Sequence, residues 1–149
     1  MDSWEVAVFV LHLFSVFYMT GIIWFIQRVH YPLMAVVPEE QFVEYENRHT
    51  RLTGPVVAPV MVLELLTGLL LLWMAPFGGT HYRWLLLASM LLVMVWLVTF
   101  GVSVPLHKRL SHSFEIRAHS KLVSTNWVRT LAWTGRAAIF IYLFVNWQP

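Results

Sequence analysis

Four apolar stretches punctuate the chain, at about residues 6–26, 55–75, 84–104 and 125–147, and the polar residues gather between them. Each runs to about 20 residues, the length of helix that crosses a ~30 Å hydrocarbon core. A lone span in lipid must satisfy its own backbone hydrogen bonds, so every stretch is expected to be helical. The pattern predicts an all-α integral membrane four-helix bundle in a single domain, residues 1–149. The connection between the second and third stretches, "PFGGTHY" at 76–82, reads as a tight turn. The other two connections, about 32–54 and 105–124, are long and charged and must share one membrane face.

Those two connections resemble each other. "YPLM" at 31–34 corresponds to "VPLH" at 104–107, and His49-Thr50-Arg51-Leu52 corresponds, after a three-residue slip, to His119-Ser120-Lys121-Leu122. The chain therefore reads as two pseudo-repeated two-span halves, related by a pseudo-twofold axis along the membrane normal. In the first connection Phe42, Tyr45, His49 and Leu52 fall on one helical face, with Glu40, Glu44, Arg48 and Arg51 facing outward. In the second, His107, Leu110, Phe114, Ala118 and Leu122 make the comparable face. Both predict interfacial amphipathic helices that lie over one mouth of the bundle.

Composition fixes the solvent. With 58% hydrophobic and only 12% charged residues, the chain falls far from an average soluble domain and has the lipid bilayer as its partner. Cys is absent, so any metal or haem would rest on His, Met, carboxylate or Tyr. Arg28, Arg48, Arg51, Lys108, Arg109, Arg117, Lys121 and Arg129 sit on or beside the long connections, against Arg83 alone near the short turn. That asymmetry predicts cytoplasmic connections and periplasmic termini in a bacterial inner membrane. It also accounts for the net charge of +2 without a nucleic-acid partner. Acidic Asp2 and Glu5 precede the first apolar run and "QRVHYP" follows it, so the run reads as a retained span instead of a signal peptide.

Within the spans the polar residues narrow the choice. Glu64 and Arg136 fall at matching depth, ~15–18 Å below the charged face, and an ionisable group there normally faces a partner or a wet cavity. An inward Glu64–Arg136 pair is expected. Asn126, Arg129, Trp133 and Arg136 recur on one stripe of the fourth span and predict the polar wall of a pocket, with Trp133 inside it. Pro55 and Pro59 free backbone carbonyls and predict a kink. His12 is expected to hydrogen-bond across helices. Trp4, Trp84 and Trp147 read as a belt at one interface and Trp24 and Trp127 at the other. Five of the seven histidines, His30, His49, His107, His112 and His119, gather on the charged face.

The last third carries a family resemblance. "VTFGVSVPLHKRL" followed by "NWVRTLAWTGRAAIFIYL", together with "HYPLM" after the first span, resembles the small four-span membrane family that includes the anthrone oxygenases of aromatic polyketide pathways. Pro105, Leu110, Asn126, Arg129 and Thr130 match that family's elements, and His107 stands where its pattern has Asn. The resemblance implies a membrane-embedded oxidoreductase that oxygenates a hydrophobic phenolic small molecule without a conventional cofactor. Such chemistry needs a base, an oxyanion partner and a dry aromatic slot. His49 or His30 is expected as the base, with Arg129 and Asn126 as the anion partners. Tyr45 and Trp133 would form the slot, Glu64 would tune Arg136 or a histidine, and His107 and Arg136 would complete the substrate site.

Two other readings fit the same residues. His112, Glu115 and His119, at i, i+3 and i+7 of one predicted helix, suggest a metal site, and two of the histidines, or one with Met34, suggest a haem carrier. Alternatively the chain is a non-catalytic subunit of a larger membrane complex or a homo-oligomer.

Overall fold

The computed structural model describes residues 2–75 and 79–146. As the apolar pattern predicts, four helices are long and apolar enough to cross a membrane: α1 (Ser3–Met34), α2 (Glu39–Met74), α3 (His81–Leu110) and α4 (Ile116–Val145). No strand occurs among the described residues. Residues 76–78 of the expected turn, and Trp147 of the expected belt, lie outside the described residues.

The ends of the helices follow from local chemistry. Asp2 and Glu5 cap α1 reciprocally, the Asp2 amide donating to Glu5 Oε2 at 2.8 Å. At the far end of α2, Ala75 turns into the left-handed conformation and its amide returns to the Leu71 carbonyl. Between α3 and α4, Ser111 Oγ donates to the Lys108 carbonyl and the His112 ring contacts the same oxygen at 2.7 Å. Side chains that take up backbone carbonyls in this way end a helix, and Glu115, in extended conformation, starts the next.

The long connections differ from the expected interfacial helices. The first is continuous with the second span in one 36-residue helix, which runs through Pro55 and Pro59. At ~1.5 Å per residue α2 is ~54 Å long against a ~30 Å core, so its polar first turns extend the helix beyond the length that a span needs. The second connection is divided between the C-terminal end of α3, the break at 111–115 and the N-terminal end of α4. The face buried on α2 also differs: Phe42 and Glu46 are buried, His49 is half-buried and Leu52 is exposed. The inward row is Phe42, Glu46, His49 and Thr53, which sets a carboxylate where sequence periodicity places a solvent face.

In lipid the helices gain little from hydrophobicity itself and are held by packing and polar contacts. Neighbours around the bundle are α1–α2, α2–α3, α3–α4 and α4–α1, and the α2–α3 seam is the thinnest. One apolar cluster fills the end near the termini, around Phe9, Leu71, Leu85 and Phe140. A second, around Met19, Met61, Val95 and Trp133, fills the middle. A third, of Tyr31, Met34, Phe42, Leu110, Ala118 and Leu122, joins the helix ends at the charged face into a cap.

Candidate functional site

The two halves carry the same local device. Residues Ile26–His30 of α1 and Thr99–Ser103 of α3 form π-helical turns, each two residues before a proline, Pro32 or Pro105. Proline cannot donate a backbone hydrogen bond and its ring crowds the carbonyl four residues back. The widened turn absorbs this: the Tyr31 amide reaches the Ile26 carbonyl and the Val104 amide the Thr99 carbonyl, each five residues back. Each turn ends on a polar residue beside the inner site, His30 in the first half and Ser103 in the second. The repeat read from "YPLM" and "VPLH" is thus also a repeat of backbone geometry.

Around these turns a row of imidazoles assembles. The His30 and His49 rings stack at 4.0 Å and 22°, and His49 and His107 follow at 5.6 Å. Tyr45 reaches His30 Nδ1 at 3.4 Å and Thr53 reaches His49 Nδ1 at 3.1 Å. His30 and His49 stand on the charged face, beyond the ends of the apolar spans. His107 is different, because its Nδ1 lies 2.6 Å from Oε1 of fully buried Glu46. A contact of that length needs a proton on Nδ1, which leaves Nε2 to face the Tyr31 hydroxyl at 3.3 Å. Tyr31, His107 and Glu46 form a hydroxyl–imidazole–carboxylate relay. Neither Tyr31 nor Glu46 stands out in the sequence: one looks like core, the other like one more acid on a charged helix.

Tyr31 also interacts with Arg129, which is 7% exposed. Arg129 Nη1 donates to Asn126 Oδ1 and to Ser103 Oγ, each at 3.2 Å. Asn126 is held in turn by Gln27 Oε1 at 2.9 Å. Arg129 Nε is buried with no partner, and no carboxylate pairs with this guanidinium among the described residues. A cavity of about 450 Å³ opens in front of it between α2 and α3. Met19, Ile22, Ile23, Ile26, Val57, Ala58, Met61, Phe100 and Val104 make its walls, and Tyr31, His49, Thr50, Ser103, His107 and Arg129 its polar end. His49 also lines a shallow outer groove of about 780 Å³ with Tyr45 and Arg48.

The other expected site residues form a separate, closed network deeper in the bundle. Arg136 Nε donates to Glu64 Oε1 at 2.9 Å and Trp133 Nε1 to Glu64 Oε2 at 3.0 Å, so the expected Glu64–Arg136 pair is present. Arg136 also donates to the Ala88 carbonyl and, at 3.2 Å, to His12 Nε2. An accepting Nε2 puts the His12 proton on Nδ1, which lies 2.8 Å from Thr67 Oγ1. Gly68 makes room for this ring, since a Cβ there would lie 3.2 Å from His12 Cε1. None of these residues lines the cavity in front of Arg129, and Trp133, expected in the pocket, stands behind its wall against Met19 and Met61. Arg136 and Glu64 are likewise out of reach of a ligand in the cavity, and Tyr45 faces the outer groove.

The metal reading on His112, Glu115 and His119 does not survive. A helix break separates them, Glu115 is committed to Arg109 at 2.7 Å, and His119 Nε2 contacts the Tyr31 carbonyl at 3.1 Å. Among the described residues no three His, Asp or Glu side chains are arranged to hold a metal ion. The stacked rings of His30 and His49 turn their faces, not their nitrogens, toward one another. No family model, curated protein or solved structure matches the chain, so the functional reading rests on its own residues.

Proposed function

We propose that this chain is a membrane oxidoreductase of the oxygenase kind, which takes a proton from a hydrophobic, weakly acidic aromatic molecule and lets the resulting anion react with O₂. The observation that supports it is the pairing, in one apolar cavity, of a carboxylate-backed imidazole, His107, with an uncompensated guanidinium, Arg129. The resemblance to the anthrone oxygenases points the same way. An activated ring methylene loses its proton to His107 Nε2, directly or through the Tyr31 hydroxyl, while Glu46 stabilises the imidazolium that forms. Charge moves to the phenolate oxygen, where Arg129 and Ser103 hold it. The carbanion gives its electron pair to O₂ and a C–O bond forms; the resulting peroxide takes the proton held on His107, and loss of the second C–H proton breaks the O–O bond, leaving the ketone and releasing hydroxide that leaves as water. The balance is CH₂ + O₂ → C=O + H₂O. His49, which lines both the cavity and the outer groove, passes the proton outward.

This assignment moves the base from His49 or His30 to His107, because His107 faces a carboxylate whereas His30 and His49 face hydroxyls and one another. The charged face is placed in the cytoplasm and both termini in the periplasm of a bacterial inner membrane, on the excess of Lys and Arg at that face. The test is O₂ uptake by the chain in lipid vesicles with anthrone as substrate. Saturable uptake that is lost in His107→Gln and Arg129→Gln supports the reading; uptake equal to that of empty vesicles removes it.

A further inference from the structure

The cavity has two boundaries of different kinds. At the charged face Asn47 Nδ2, on α2, donates to the Ser111 carbonyl at the end of α3 at 3.3 Å, so a hydrogen bond crosses the polar rim. Below the rim the thin α2–α3 seam leaves the cavity bounded only by Gly54, Val57 and Ala58 on one side and Phe100 and Val104 on the other. Phe100 is 57% and Val104 47% exposed, and a Cβ added at Gly54 would meet nothing within 4 Å. All five lie at or next to the apolar spans, where the surroundings are hydrocarbon. The lining runs along α2 from Asn47 to Met61, ~21 Å at helical rise, which makes the space a slot and not a bowl. At its polar end waits the buried guanidinium with an unpartnered Nε.

A slot with one cationic end, apolar walls and a gap toward lipid fits an amphiphile with an acceptor head and an apolar body, and the proposed chemistry makes that head a phenol. We infer that the ligand is a bilayer-dissolved phenol with an extended apolar body, and that it reaches Arg129 sideways through the α2–α3 seam, not from water across the Asn47–Ser111 rim. This rests on the reading of the cavity as a substrate site. It adds the route and the shape of the molecule. A phenol of this kind partitions into the membrane, orients its hydroxyl toward the polar face, and meets the seam already aligned with the slot. Its body replaces lipid against Val57, Phe100 and Val104, and its oxygen supplies the acceptor that Arg129 lacks.

The test uses 2-fluoro-4-octylphenol and the full chain in lipid nanodiscs, read by ¹⁹F NMR as the bound population and its exchange with the lipid-dissolved pool. A plug in a route slows release as well as binding, whereas a lost contact in the site speeds release. Ala58→Trp is expected to slow exchange tenfold or more, and Val104→Trp repeats the test from the facing helix. Ser111→Trp, at the rim, should leave exchange as in the parent, and Arg129→Gln should cut the bound population about tenfold. Exchange slowed by Ser111→Trp and not by the seam variants would overturn the lateral route while leaving the substrate site in place. Absence of a bound signal in the parent chain would overturn the inference itself. Seam-controlled binding without O₂ uptake would retain the route and remove the oxygenation.

Discussion

Arg129 and Arg136 stand seven residues apart on the same face of α4, ~10 Å along the helix, and both are buried. Each guanidinium also lies over an aromatic ring, Trp133 or Phe140, but their polar surroundings differ. Arg136 meets a carboxylate, an imidazole and a carbonyl, and does not line the cavity beside Arg129. Arg129 meets only neutral partners, keeps an unpartnered Nε and lines the cavity. A buried cation costs several kcal/mol unless it is paired, so a network like that of Arg136 is stable only when complete. The protein completes one and leaves the other open. The comparison separates two uses of the same side chain: a closed charge network ties helices together, while an open one waits for an anion.

The comparison can be broken at several points. Glu64→Gln strands Arg136 without its counter-charge, and the expected loss is about 3–5 kcal/mol of stability, measured by unfolding in mixed detergent. Pairing it with Arg136→Met should recover part of that loss, because an apolar substitute carries no stranded charge. Losses that simply add would mean the two residues do not act together. Glu46→Gln keeps the shape of the relay but removes the charge behind His107, and should lower O₂ uptake roughly 10²–10⁴-fold while the chain stays folded. If His49→Ala is as damaging as Glu46→Gln, the base belongs to His49 and the relay is secondary. His112→Ala, outside both networks, loses one exposed contact to the Lys108 carbonyl and should leave uptake unchanged beyond the scatter of the measurement.

Much of the fold was legible in the sequence because the bilayer imposes it. Spans of twenty apolar residues have one solution in lipid, and the depth of Glu64 and Arg136 followed from helical rise alone. The His12 contact across helices and the buried stripe Asn126, Arg129, Trp133 and Arg136 were readable for the same reason. The site was less so. Periodicity assigns faces to an isolated helix, but packing decides which face turns inward, and α2 turns Glu46 inward among acids that all look solvated. Tyr31 and Ser103 reach the site because π-helical turns re-aim the chain, a geometry that two X-Pro steps hint at without specifying. The i, i+3, i+7 spacing of His112, Glu115 and His119 misled because it presumed a helix through residues 111–115, where side chains capture the backbone.

The division between the two arginines is tested most directly by one paired measurement, Arg129→Gln against Arg136→Gln, each followed for unfolding resistance and for binding of the fluorinated phenol. The account predicts a crossed result. Arg136→Gln loses stability by several kcal/mol, because it leaves Glu64 buried and unpaired, and what remains folded still binds. Arg129→Gln is as stable as the parent or more so and loses binding about tenfold. A chain that unfolds on loss of Arg129 and binds normally without Arg136 in equally stable form would contradict it.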